Sequence, residues 1–188
     1  LHESNISRLD GLSNLTKLYS LFIAANRINS LEGLSNLTNL KSLDLSNNEI
    51  NVIRGLSNLT RLKSLSISNN KILKIEGLSN LENLRWLNLA GNRISCMKGV
   101  SGLNNLEVLN LDYNAIIKIE GLSELSNLER LDLGRNRIIK LEGLSELKHL
   151  LMLNVLGNKF DRIKARAYLD SIRKLNRSSK FLEIVYGV

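Results

Sequence analysis

LSNLERLDLGRNRIIKLEGLSE, residues 125–146, is one copy of a unit that recurs every 22 residues along a chain of 188. Frames open at Leu15, Leu37, Leu59, Leu81, Leu103, Leu125 and Leu147, with no insertion or deletion between them. A fixed period of that length is the signature of a solenoid, in which each unit buries its apolar side only against its neighbours. The run L-x-x-L-x-x-L-x-L ends in the alternating stretch Leu131-Asp132-Leu133. That alternation predicts a short strand with its leucines inward and Asp132 outward. Stacking one such strand per frame predicts a parallel sheet on the concave face.

Working outward from the strand, Asn136 has counterparts at Asn26, Asn48, Asn70, Asn92, Asn114 and Asn158. Where a chain leaves a strand inside a stack, its backbone groups lose ladder partners yet stay buried. A short side chain with both donors and an acceptor satisfies them, so the position reads as structural. Ile138 and Leu141 mark two further inward positions, whose last copies are Phe160 and Ile163. Gly143 and its copies back to Gly33 mark a turn with little room for a side chain. Ser145 and its copies suit the N-cap of a convex segment long enough only for a short helix or 3₁₀ piece.

The ends depart from the repeat. Residues 1–14 read as the second half of a unit without a cap, which predicts an upstream repeat or flanking domain and a longer parent chain. Arg166 stands where every earlier frame has Leu or Val, and residues 162–177 read as a helix. Ile163, Ala167, Ile172 and Leu175 are expected on its apolar face. FLEIVY, residues 181–186, reads as a strand-like tail. The chain thus divides into a solenoid over 1–161 and a C-terminal cap over 162–188, with the cap expected to cover Leu151, Met152 and Leu156.

Composition narrows the function classes. The chain has no proline, one cysteine and a net charge of +8. Residues 159–180 alone carry eight basic side chains against Asp161 and Asp170, a net +6. No apolar run approaches the ~20 residues that cross a bilayer. A lone Cys96 excludes an internal disulfide framework and points to a reducing, cytoplasmic setting. His2, His149 and Cys96 lie far apart, and no phosphate loop, metal-ligand cluster or nucleophile–base pattern appears. The reading is a non-enzyme with no metal and no cofactor.

A binding surface is the better supported class. The outward strand sites run Ser20, Ser42, Ser64, Trp86, Val108, Arg130, Met152 and Phe22, Asp44, Ser66, Asn88, Asn110, Asp132, Asn154. Repetition does not dictate these residues, so departures from Ser or Asn carry information. Trp86, the only tryptophan, combines with Asn88, Asn110, Asp112, Tyr113, Arg130, Asp132 and Arg135 into a mixed patch of the residue types enriched at binding hot spots. Phe22 and Asp44 extend the surface toward the N-terminus, with Tyr19 beside Phe22. The cap offers a second surface: Arg162, Lys164, Arg166, Arg173, Lys174 and Arg177 could meet an acidic partner or RNA. No aromatic interleaving supports stacking on single strands, so nucleic acid is the lesser option. A basic row at Arg27, Lys71, Arg93, Arg137 and Lys159, with Lys74, Lys118 and Lys140, reads as a solvated edge partly neutralised by Glu32, Glu76, Glu120 and Glu142.

The pattern LxxLxxLxLxxNxIxxIxGLxxL resembles the leucine-rich repeat, specifically the 22-residue subclass typified by a regulatory subunit of protein phosphatase 1 and by axonemal dynein light chains. The resemblance implies a right-handed α/β solenoid with a concave parallel sheet, short 3₁₀ or helical convex segments and a helical C-terminal cap. It also implies a scaffold binding a protein partner on the concave face, with a regulatory, cytoskeletal or ciliary setting. Tyr168, Ile172, Leu175 and the Leu182-Glu183 pair would fill the cap pattern, though its usual proline is missing. Bacterial internalins share the period but carry proline where this chain has Gly-Leu, which counts against a secreted or bacterial-surface domain.

Overall fold

The computed structural model describes residues 4–175 and 183–185. Its strands are three residues each: β1 Ser20–Phe22, β2 Ser42–Asp44, β3 Ser64–Ser66, β4 Trp86–Asn88, β5 Val108–Asn110, β6 Arg130–Asp132, β7 Met152–Asn154 and β8 Glu183–Val185. They form one eight-stranded parallel sheet in chain order. The register is that of the repeat, so Leu43, Leu65, Leu87, Leu109 and Leu131 stand side by side along the sheet. The same leucines, with Leu45, Ile67, Leu89, Leu111 and Leu133, belong to one continuous core running the length of the stack.

The asparagine ladder performs the task its spacing suggested. Asn92 Nδ2 donates to the Ile67, Leu89 and Ala90 carbonyls at 2.9, 3.0 and 3.4 Å, while its Oδ1 accepts from Ile72 N at 3.0 Å. One side chain therefore ties its own turn to the preceding coil in both directions. A second ladder was not legible in the repeat. Asn39, Asn83, Asn105 and Asn127 donate to the carbonyls of Thr16, Thr60, Glu82 and Asn104 at 2.8–2.9 Å.

The convex side is built from 3₁₀ segments and chained turns. Among the described residues only Asp10–Leu12 and Lys98–Val100 are 3₁₀ segments. Elsewhere the chain makes successive three-residue turns, such as Leu34 N to Leu31 O, Leu37 N to Leu34 O and Leu40 N to Leu37 O. The reason is the L-x-x-L-x-x-L spacing: a period of three keeps every leucine inward, which 100° per residue of α-helix would not. Ser101 closes the Lys98–Val100 segment rather than opening a helix, its Oγ donating back to the Lys98 carbonyl at 2.8 Å. The glycine after each turn is demanded by the stack. A Cβ on Gly77, whose φ is +72°, would lie 2.6 Å from the Ile53 carbonyl oxygen of the preceding coil.

At the C-terminal end, α1 spans Arg162–Leu175. Asp161 caps it, its Oδ1 accepting from Ile163 N and Lys164 N at 2.9 and 3.0 Å. Its packed face is Ala165, Leu169 and Ile172, with Tyr168 half-buried and its hydroxyl accepting from Leu144 N at 3.1 Å. This corrects the expected face. Ile163 is 85 % exposed and Ala167 is exposed, because the helical phase starts at Arg162 and takes both out of the repeat register. The Leu175 side chain lies outside the described part. Strand β8 extends the sheet beyond β7, while Phe181, Leu182 and Tyr186 lie outside the described residues. Leu151 and Leu156 remain exposed rather than covered by the cap, and Met152 is half-buried.

Candidate functional site

The concave sheet presents its outward residues in straight rows, and the structure separates those with a local task from those without one. In the second row, Asp44, Asn88, Asn110 and Asn154 each turn Oδ1 back to the amide two residues on, at 2.9–3.1 Å. This closes the strand exit in the manner of an Asx turn. Asp44, Asn88 and Asn110 are thus half-buried structural residues as well as candidate contacts.

Frame six breaks this rule. Asp132 should accept from Gly134 N, but that amide donates instead to Oδ1 of Asp112 on the neighbouring coil. Asp112 also meets Asn154 Nδ2, at 3.3 and 3.4 Å, across two coil steps. Gly134 permits the crossing, since a Cβ there would lie 2.8 Å from Asn154 Nδ2 and 2.9 Å from Asp112 Oδ1. Asp132 is left with Arg130, whose Nε approaches Oδ2 at 2.7 Å, and its side chain is only 3 % exposed. Its other oxygen, Oδ1, is buried with no hydrogen-bond partner. Burial pushes the Asp112 carboxyl above its ordinary value, and the nearby Asp132 charge adds to this; the Gly134 amide, Arg130 and Asn154 oppose it.

The strand exits hold a second departure. Residues 25, 47, 69, 91, 113, 135 and 157 are left-handed, one per frame, with φ between 52° and 73°. Asn47, Asn69, Gly91 and Gly157 are residues that tolerate that conformation. Tyr113 and Arg135 are not, yet they hold φ of 54° and 52° in adjacent frames, with the guanidinium 4.9 Å from the ring centroid. The sequence marked both residues as candidates but could not show that they stack or that their backbone is strained.

Trp86 stands on β4, 37 % exposed, in register with Ser64 on one side and Val108 on the other; Arg130 follows one coil further along the same row. Trp86, Tyr113, Arg130 and Arg135 therefore lie on three successive coils of one rigid face. Phe22 is exposed on β1 at the opposite end of the sheet, apart from that cluster, near Tyr19, whose ring lies 5.2 Å from Lys41 Nζ. Arg162, Lys164 and Arg166 are exposed along α1. Arg173 and Lys174 fall within α1 but their side chains, like all of Arg177, lie outside the described part.

Cys96, exposed, sits in the loop after β4 with Sγ 3.3 Å from a Glu120 carboxylate oxygen, three frames from His149. His149 lines a shallow polar cleft with Arg85, Glu107 and Glu129. Among the described residues, no helix is long and apolar enough to cross a membrane.

A stack of 22-residue coils with one parallel strand each, tied by asparagine ladders, defines a leucine-rich-repeat solenoid. Family comparison agrees: the model described as Leucine Rich repeats (2 copies) matches residues 38–80 and 82–124, and that described as Leucine Rich repeat matches 124–148. The chain belongs to the leucine-rich repeat family. No curated protein matches it in sequence. Among solved structures it is similar to an internalin from Listeria monocytogenes, with a TM-score of 0.84 and 32 % identity over 100 % of this chain. The chain spans about half the length of that internalin, 53 %. It is also similar to internalin C2 of the same organism (TM-score 0.84, 24 % identity, 99 % of this chain and 78 % of that one). A leucine-rich-repeat protein of Leptospira interrogans follows, with a TM-score of 0.68, 24 % identity, and coverage of 95 % and 51 %. The last two show the fold alone. Missing proline therefore does not set the backbone apart from that of the first internalin.

Proposed function

We propose that this domain recognises a protein partner on its concave face, without catalysis, through Trp86, Tyr113, Arg130 and Arg135. The observation that carries the reading is the left-handed backbone of Tyr113 and Arg135. A residue other than glycine or asparagine there costs about 1–2 kcal/mol; four of the other frames avoid that cost with Asn47, Asn69, Gly91 and Gly157, while the first bears it at the small Ala25. Strain retained in two adjacent frames, on residue types enriched at hot spots, is what a contact surface under selection for binding would leave. The stack fixes the sheet in advance, so little ordering entropy opposes docking.

The test compares proteins captured from source lysate by the wild-type chain and by Trp86→Ala/Tyr113→Asn/Arg135→Asn. Arg130 is left alone, because removing it would strand the buried Asp132 charge. Loss of a specific prey supports the reading, and identical prey lists contradict it.

The setting has two readings. Likeness to an internalin over the full chain favours recognition outside a bacterial cell. The Gly-Leu form of the repeat and the free Cys96 favour an intracellular scaffold of the phosphatase-regulatory or dynein-light-chain kind, with a regulatory, cytoskeletal or ciliary role. N-terminal sequencing of the natural protein decides between them: a cleaved leader supports the first.

A further inference from the structure

A second surface lies on the flank of the stack, where the chain leaves the sheet. Leu73, Ile117 and Ile139 occupy one frame position, immediately after the buried Ile72, Ile116 and Ile138, and are 57 %, 49 % and 56 % exposed. Ile117 and Ile139 are on touching coils, with Ile139 N donating to Ile117 O at 3.4 Å. Each is followed by a lysine: Lys74, Lys118 and Lys140. Arg93 and Arg137 flank the ridge on its other side.

The expected neutralisation of this edge is mostly absent. Glu76 and Glu120 pair with Arg54 and Lys98, at 3.9 and 3.6 Å, rather than with the ridge lysines. Only Lys71 with Glu49, at 2.8 Å, and Lys140 with Glu142, at 3.9 Å, are paired along the row. Among the described residues, Lys74, Lys118, Arg93 and Arg137 have no ion pair. The result is an aliphatic row, interrupted by Ser95 on the fourth coil and flanked by basic side chains, of which these four carry no ion pair among the described residues.

The spacing selects the occupant. Coils of a parallel sheet repeat every ~4.8 Å, and an α-helix rises ~5.4 Å per turn. A helix lying along the ridge would set one side chain per turn against one coil, meeting Leu73, Ile117 and Ile139 with Ser95 between the first two, and drifting only ~2 Å over the three coil steps. Its flanking positions would face the lysine and arginine lines, which call for Asp and Glu. At the C-terminal end the ridge opens into a cleft of about 320 Å³ between the last frames and α1, lined by Ile139, Phe160 and Tyr168, with Lys140 and Lys164 beside Glu142 and Asp161. A recess suits a helix end better than a flat membrane. We propose that this flank docks an acidic amphipathic helix of a partner protein, independently of the concave face.

Three probes test it on the full chain with methyl-labelled protein: a synthetic helix with a leucine face and glutamate flanks, its lysine-flanked counterpart, and phosphatidylserine vesicles. The glutamate helix should shift the Leu73, Ile117 and Ile139 methyls, and the lysine helix should not. Ile117→Ser/Ile139→Ser should weaken that binding about tenfold or more. Lys118→Glu/Lys140→Glu should reverse the preference between the two helices. All four positions are exposed, so circular dichroism should report an unchanged fold. The proposal is overturned if the glutamate helix leaves the ridge unshifted, if its binding survives both substitutions, or if only the vesicles bind.

Discussion

Replacing Tyr113 and Arg135 together by asparagine should make the protein more stable while removing part of its binding surface. Frames two and three already show the product: Asn47 and Asn69 hold the same left-handed backbone, with Asn69 Nδ2 donating to Asn47 Oδ1 at 3.1 Å. Asn is enriched several-fold over other non-glycine residues in that region, which corresponds to roughly 0.5–1 kcal/mol relieved at each position. Against this stands the exposed Arg135–Tyr113 stack, at 4.9 Å, worth about 0.5–1 kcal/mol. A new Asn–Asn bond restores a few tenths. The net is a gain of about 1 kcal/mol, or roughly 2–4 °C in Tm for a domain of this size. Urea unfolding followed by circular dichroism, with the slope checked for constancy, measures it. A loss of 1 kcal/mol or more would refute the reasoning, because the strain attributed to these two residues would then not exist.

Two further outcomes follow from the same geometry. Asn92→Ala strands the buried Ile72 amide and the Ile67 and Leu89 carbonyls, so denaturant unfolding should show a loss of about 3–5 kcal/mol; a cost below ~1 kcal/mol would mean the ladder is incidental. The Asp112 carboxyl has its folded value raised above the ordinary 3.8, chiefly by burial. The folded state then binds the proton more tightly than the unfolded chain, so Asp112 lowers stability above its folded value and this penalty is relieved as pH falls toward 3.8. Wild type should therefore gain stability relative to Asp112→Asn on acidification from neutrality, and parallel pH profiles would contradict this.

The buried half of the molecule was legible because repetition writes it seven times. Leu131, Asn136, Ile138 and Gly143 each answer to a residue of the same type on the preceding coil, so spacing alone reveals their role. Two kinds of feature escaped. How far each convex segment forms 3₁₀ helix escaped, because a leucine every third residue fits short helix and chained turns alike until hydrogen bonds distinguish them. The apolar face of α1 was misphased because Ile163 was assigned by repeat register in a segment that had already left it. On the concave face, Trp86 and Arg130 stood out by composition, but the partner exchange at Asp112, Gly134 and Asp132 depends on distances between coils. The exposed Leu73, Ile117 and Ile139 stripe was hidden by its place beside buried isoleucines one residue earlier.

The central claim is that frames four to six of the sheet form a contact surface. Its most direct measurement is the affinity of a partner recovered with the wild-type chain, determined by calorimetry for wild type and for Trp86→Ala. A tryptophan buried at a hot spot is worth ~2 kcal/mol or more, so the dissociation constant should rise about 30-fold with the fold and thermal stability unchanged. An affinity within about twofold of wild type would contradict the assignment of that face.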